Sequence, residues 1–294
     1  MQNRITNGKY IIFFICLFAL NLFLTANADA NKIGSSYFKS LQNRLIKDGF
    51  DKAEINQLYN RSEVFFDTAG VTLFFKHQES RLNYDQFIAW RSIRKAKEYL
   101  KMHKTALENM ESAYNVDKEI IVAIILVETK LGTYLGKRSI LNTLSTMASL
   151  ADPQVKKMLW NKVSGSSGLT KNKFEKKAAI KSKWAYNELT ALLKYAGRER
   201  IDPAALRGSY AGAMGIAQFM PSNALALAKD GNNDGHIDLF KHADAIVSIA
   251  NYLNHYGWHV GIDNKKAYKI LLKYNYSKYY ANTILKISKL LVLR

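Results

Sequence analysis

From Asp117 to Gly136 the chain reads DKEIIVAIILVETKLGTYLG. Ile121, Ile124, Ile125, Glu128, Leu131 and Leu135 recur there at the spacing of one helical face, so the stretch predicts a single helix. Asp117 is its expected N-cap, Glu119 lies in its first turn, and Gly132 or Gly136 marks its stop. Glu128 is the one ionisable position on a stripe otherwise made of aliphatics.

Helical periodicity continues on both sides. Residues 35–115 carry amphipathic patterns, with Gly49 separating two helices and Asp51 and Glu54 at the spacing of a capping box. Ser92 to Tyr114 alternates basic and apolar residues at helical spacing; Tyr84 and Phe87 ahead of it read as core aromatics, with a groove lining as the alternative. Ile140 to Leu150 predicts a short buried helix, Trp184 to Tyr195 another, and Ala245 to Tyr256 a third that ends at Gly257-Trp258. Lys273-Tyr274-Asn275-Tyr276-Ser277 precedes the last helix. Only three prolines interrupt 294 residues, which agrees with a mainly α protein.

Three stretches break the helical pattern. Ser164-Gly165-Ser166-Ser167-Gly168 is linker-like, and six lysines follow with one glutamate from Lys171 to Lys183; together, about 161–183, they read as an exposed mobile insertion. RGSYAGAMGIAQFMPS, residues 207–222, is dense in small residues that let backbones pass closely, and it places polar Ser209 and Gln218 among packed groups that must find partners. DGNNDGHIDLFKHAD, residues 230–244, matches a calcium loop at Asp230, Asn232, Asp234 and Asp238, with Gly235 sixth and the His236 carbonyl seventh. Its twelfth position is Lys241 where a bidentate Glu belongs, so a plain Asx-Gly turn competes; Asp244 supplies the missing carboxylate if a helix begins there.

Composition narrows the picture further. A 48% hydrophobic content supports a true core, and the single cysteine, Cys16, rules out an internal disulfide. The formal charge of +19 suits anionic partners, whether nucleic acid, membrane lipid or an acidic cell-wall polymer. No nucleic-acid recognition motif accompanies the scattered lysines, so nucleic acid is set aside. Arg4 and Lys9, the apolar run from Tyr10 to Leu24, and Ala26-Asn27-Ala28 together read as a signal peptide over residues 1–28. Phe13-Phe14-Ile15 precedes Cys16 where a lipidated cysteine needs small residues, so Cys16 reads as unlipidated; an uncleaved membrane anchor is the alternative.

Chemistry gathers at Glu128. A carboxylate set beside aliphatics favours its neutral form, which is what a proton donor in glycoside cleavage requires. The competing reading is a helix-edge Glu whose head reaches solvent.

Three ordered segments carry a resemblance: IIVAIILVETKLGTYLGKRSILNTL, RGSYAGAMGIAQFMPS with its Asp-rich loop, and NYLNHYGW with KYNYSKYYANTIL. Together they resemble the bacterial lytic murein transglycosylase B family, the family 3 soluble lytic transglycosylases. The resemblance implies a lysozyme-like α-rich core with surrounding helical lobes and an EF-hand-like loop. The expected domains are an N-terminal helical region over 29–115 and a catalytic core over 116–294. It implies cleavage of the bond between N-acetylmuramic acid and N-acetylglucosamine in peptidoglycan glycan strands by a periplasmic enzyme. Glu128 falls at the family's catalytic acid and base, and Ser209, Gln218, Tyr252, Tyr274 and Asn275 at substrate-binding positions. Asp230, Asn232, Asp234, His236 through its carbonyl, Asp238 and Asp244 fall on its structural calcium loop, and no organic cofactor is implied. Two departures stand out: the link from Trp258 to Tyr274 is short, and the lysine-rich insertion replaces a segment that bears arginines near the catalytic acid, leaving Lys181 as the candidate support for Glu128. A water-using muramidase of the same fold and a non-catalytic wall-binding protein are the alternatives.

Overall fold

The computed structural model describes residues 37–76, 83–164 and 170–293. The expected signal peptide, with Cys16, lies outside them, as does 165–169 of the linker-like stretch. The chain forms two compact units, Met1–Phe66 and Asp67–Arg294.

In the first unit, α1 (Lys39–Lys47) packs on α2 (Lys52–Tyr59). Gly49, at φ +98°, turns the chain between them, and the Asp51 carboxylate accepts the Glu54 N–H at 2.8 Å, which is the expected cap. Phe38 meets Tyr59 edge-on with ring centres 5.2 Å apart.

The second unit begins with α3 (Thr68–Lys76), α4 (Asp85–Ile88), α5 (Trp90–Met102) and α6 (Lys104–Tyr114). It continues through α7 (Lys118–Thr129), α8 (Ile140–Ala148), α9 (Pro153–Val163) and α10 (Lys171–Glu199). It closes with α11 (Pro221–Leu227), α12 (His242–His255), α13 (Asn264–Tyr274) and α14 (Lys278–Val292). The division after Phe66 lies upstream of the expected 115/116 boundary, because α5 and α6 pack on α7, α12 and α14.

Helix α7 is the centre of this unit. Every residue from Ile120 to Leu126 is at most 4% exposed, because α5, α6, α12 and α14 surround it. The single apolar stripe read from the sequence is therefore a helix buried on all sides, and Glu128 sits half-buried at its C-terminal end. The helix stops at Thr129, short of Gly132, as Lys130 and Leu131 both turn left-handed at φ 50° and 63°. Thr129 Oγ1 fixes that turn by bonding the Ile125 and Ile216 carbonyls and accepting the Gly132 N–H at 3.1 Å. Asp117 caps nothing with its side chain; its carboxylate accepts the Trp258 Nε1–H at 2.8 Å.

Most of the expected insertion is also helix. Phe174, Ala178, Ser182 and Ala185 are buried at helical spacing under the lysines, and α10 lies against α8 and α11. The apolar face of α10 was masked in the sequence by the density of exposed lysines between its buried positions.

Candidate active site

The segment beyond α7 is tightly folded. Strands β1 (Arg138–Ser139) and β2 (Arg207–Gly208) pair antiparallel, with Arg138 opposite Gly208. A Cβ on Gly136, at φ +85°, would lie 2.1 Å from the Gly208 carbonyl oxygen, so only glycine permits this approach. It places Ser209 in a turn where its Oγ accepts the Ala211 and Ala213 N–H groups at 3.2 and 3.0 Å. The hydroxyl proton of Ser209 is thereby left to a ligand. Gln218 is itself left-handed, at φ 48°, and its Nε2 donates to the Gly215 carbonyl at 2.9 Å.

A cavity of about 540 Å³ opens where these elements meet. Glu128 lines it together with Ser209, Gln218, Tyr274 and Asn275. Four of the five expected groove residues thus join the expected acid. The fifth, Tyr252, does not: it is 2% exposed, packs on Phe219 and Tyr274, and donates its hydroxyl to the Lys273 carbonyl at 2.8 Å. It backs the wall rather than lining it. Lys181 is also elsewhere, its Nζ over the rings of Phe74 and Trp184 at 5.1 and 5.0 Å. Lys130 is the cation that lines the cavity.

Several lining residues went unrecognised in the sequence. Tyr84 and Phe87, for which core was preferred to the groove-lining alternative, form one side, and Tyr134, Tyr210, Met220 and Tyr280, which had no such reading, complete the walls. Lys130 and Tyr134 follow Glu128 by two and six residues, and that nearness in sequence is the signal that could have found them. Tyr280 gives no such signal, because its approach depends on how α14 packs against α7.

The electrostatics centre on two phenols. The Tyr274 hydroxyl donates to the Ala217 carbonyl at 2.6 Å, and burial, followed by the Glu128 charge, holds it well above its ordinary value. Burial and then Glu128 push the Tyr280 hydroxyl up likewise. That hydroxyl is buried and interacts with the Glu128 carboxylate. Both phenols stay protonated near neutral pH; the Tyr274 proton is held by the Ala217 carbonyl, and the Tyr280 hydroxyl faces the acid as a neutral group. Glu128 is the one carboxylate among the described residues that line the cavity.

The Asp-rich loop lies apart from the cavity. Asp230 accepts the Gly235 N–H at 2.8 Å, and both Asp230 and Asn232 accept the Asp234 N–H. Asp234 accepts the His236 N–H at 2.9 Å, and the Lys241 ammonium sits 2.7 Å from its other oxygen. Lys241, Asn232 and the His236 N–H together hold the Asp234 carboxyl down at about 2. Asp238 is spent on the Phe240 N–H, and the fully buried Asp244 accepts from Gly231 and Asp238. Among the described residues no three Asp, Glu, His or Cys side chains form a metal cage. The donors are nonetheless all hard oxygens converging on one turn, and an ammonium already occupies their negative field, so the chemistry of the set fits a hard cation.

The sequence pattern of the transglycosylase SLT domain family matches residues 34–265. Membrane-bound lytic murein transglycosylase B of Escherichia coli (strain K12) is 35% identical over 173 residues, which are 59% of this chain. That match spans 40% of the relative's own length. The Escherichia coli lytic transglycosylase SLT35 in complex with calcium superposes with a TM-score of 0.70 at 23% identity, covering 87% of this chain and 93% of that one. SltB3 of Pseudomonas aeruginosa in complex with NAG-NAM-pentapeptide superposes with a TM-score of 0.69 at 19% identity, covering 88% and 79%. These superpositions establish a shared lysozyme-like, α-rich fold.

Proposed function

Since the chain belongs to the transglycosylase SLT domain family, we propose that it is a peptidoglycan lytic transglycosylase with Glu128 as its acid and base. The observation that carries this reading is the cavity itself. One described carboxylate stands among protonated phenols, a serine hydroxyl and four side-chain amides, a lining suited to a hydroxyl-rich, acetamido-bearing chain. SltB3 in complex with NAG-NAM-pentapeptide supports the same substrate class.

A pair of carboxylates is the usual apparatus for glycoside hydrolysis. With one, the second role passes to the substrate. Protonated Glu128 gives its proton to the glycosidic oxygen, and the bond from that oxygen to the anomeric carbon of N-acetylmuramic acid breaks. The 2-acetamido group supports the cationic centre. The Glu128 carboxylate then takes the proton of the same sugar's 6-hydroxyl, whose oxygen bonds to the anomeric carbon. The product is a 1,6-anhydro ring, formed without water. Ser209, Gln218 and Asn275 hold the sugar so that its own hydroxyl is the nearest nucleophile. Mass spectrometry of products from purified cell-wall sacculi tests this directly. Anhydro-muramic ends are expected; reducing ends one water heavier would make the protein a muramidase, and intact sacculi a binding protein.

Tyr280 is a positioning group for the acid. Replacing it with Phe removes a buried hydroxyl that interacts with Glu128, so Tyr280→Phe is expected to lower kcat by about tenfold or more while changing stability by no more than about 1 kcal/mol. Equal losses in stability and rate would make its role structural.

The Asp-rich loop is assigned to structural calcium, held by Asp230, Asn232, Asp234, the His236 carbonyl and Asp244; when bound, the ion would cross-link the loop and supply no step of the reaction. Calcium in the SLT35 complex supports the assignment. The Lys241 ammonium competes with the ion for Asp234. Lys241→Ala is therefore expected to tighten calcium binding several-fold, read as a larger calcium-induced rise in Tm after chelator treatment. If calcium moves neither Tm, the assignment fails.

Residues 1–28 are assigned to export into the periplasm, with cleavage after Ala28. No helix of the described residues is long and apolar enough to cross a membrane. The basic charge gives the protein a further means of associating with the cell wall or membrane surface.

A further inference from the structure

A second cavity, about 510 Å³, lies beside the groove between α5 and the end of α7. Gln86, Phe87 and Lys130 line both, so the two share a wall. Their chemistry differs. The groove combines the shared Lys130 with the Glu128 carboxylate, whereas the second cavity adds a second ammonium, Lys95, to Lys130 over apolar Phe87, Leu126 and Met102. Neither lysine has an ion-pair partner among the described residues. Glu98, the acid on this rim, already lies 3.7 Å from Arg94. The inner wall is closed by Tyr99 and His242, whose hydroxyl and Nδ1 lie 2.7 Å apart. Lys130 caps the C-terminus of α7 in the left-handed region and lines both cavities from there.

We propose that this second cavity takes the acidic peptide branch of the polymer whose sugar chain lies in the groove. The inference rests on the glycan reading of the groove and adds a site to it. A peptidoglycan strand carries a short peptide on each muramic acid, and its free carboxylates match Lys95 and Lys130 while its alkyl side chains match Phe87 and Met102. A second sugar subsite would leave the two ammonium groups unmatched, whereas a peptide carboxylate pairs with them while Gln86, Ser92 and Thr133 hydrogen-bond its amide backbone. A divalent cation finds no cage there among the described residues.

Calorimetric titration of the whole chain with a muramic acid disaccharide, with and without its peptide, tests the proposal. The native chain is expected to bind the peptide-bearing form more tightly. Lys95→Glu should weaken that form about tenfold and the peptide-free form less than twofold, and Lys95→Arg should restore most of the difference. Equal weakening of both forms, or of neither, overturns the proposal. Because the titration needs no cleavage, intact sacculi would refute the transglycosylase reading and leave this result standing on its own.

Discussion

Glu128→Gln is expected to abolish release of anhydro-muropeptides, with a loss of at least about 10³-fold in kcat and no loss of fold. A positioned general acid contributes about 10²–10⁴ in rate, and in the proposed mechanism one group serves both proton transfers, so the amide would remove both. A factor of 10³ corresponds to about 4 kcal/mol of barrier. The substitution conserves shape, and Glu128 is half-buried at a cavity wall rather than locked in the core, so Tm should move by no more than about 2 °C. Residual turnover above a tenth of native, measured on sacculi with matched protein, would remove Glu128 from the chemistry. Glu119, in the first turn of the same helix, is the control: Glu119→Gln should leave turnover unchanged.

The largest expected effect on stability lies away from the groove, at Asp244. This carboxylate is fully buried in the first turn of α12 and accepts two backbone N–H groups, from Gly231 at 2.9 Å and Asp238 at 2.7 Å. Hydrogen bonds to charged acceptors are worth about 1.5–3 kcal/mol each, and removing the acceptor leaves two donors unpaired. Asp244→Ala should therefore cost about 3–4 kcal/mol, read as a fall in Tm of roughly 10 °C for a unit of this size. Asp244→Asn should cost nearly as much, because its amide N–H₂ would face a backbone donor. A shift under about 2 °C for Asp244→Ala in metal-free buffer would mean that Asp244 does not hold the loop without an ion.

The sequence determined the helical class and singled out Glu128 as the candidate acid. The two rest on different grounds. Helical class is a property of local periodicity, visible at Asp117 to Thr129 and again at Ala245 to Tyr256. Glu128 stood out as the ionisable member of an aliphatic run and at the family's acid position. Ser209, Gln218, Tyr274 and Asn275 were reached through matching motifs, since nothing in their spacing places α13 beside α7. Periodicity failed where charge hid it: in α10, exposed lysines concealed the buried series from Phe174 to Ala185.

The tertiary structure alone decided the rest. It stopped α7 at Thr129, because the Thr129 hydroxyl bonds a carbonyl from the distant residue Ile216. It drew Asp117 away from capping to the indole of Trp258, and it turned Tyr252 inward to the Lys273 carbonyl. It put Lys130 rather than Lys181 at the groove, and brought Tyr280 to Glu128. Each of these outcomes is a contact between residues far apart in the chain. Local propensity fixes which segments coil, but their partners are chosen by how the coiled segments fill one shared core.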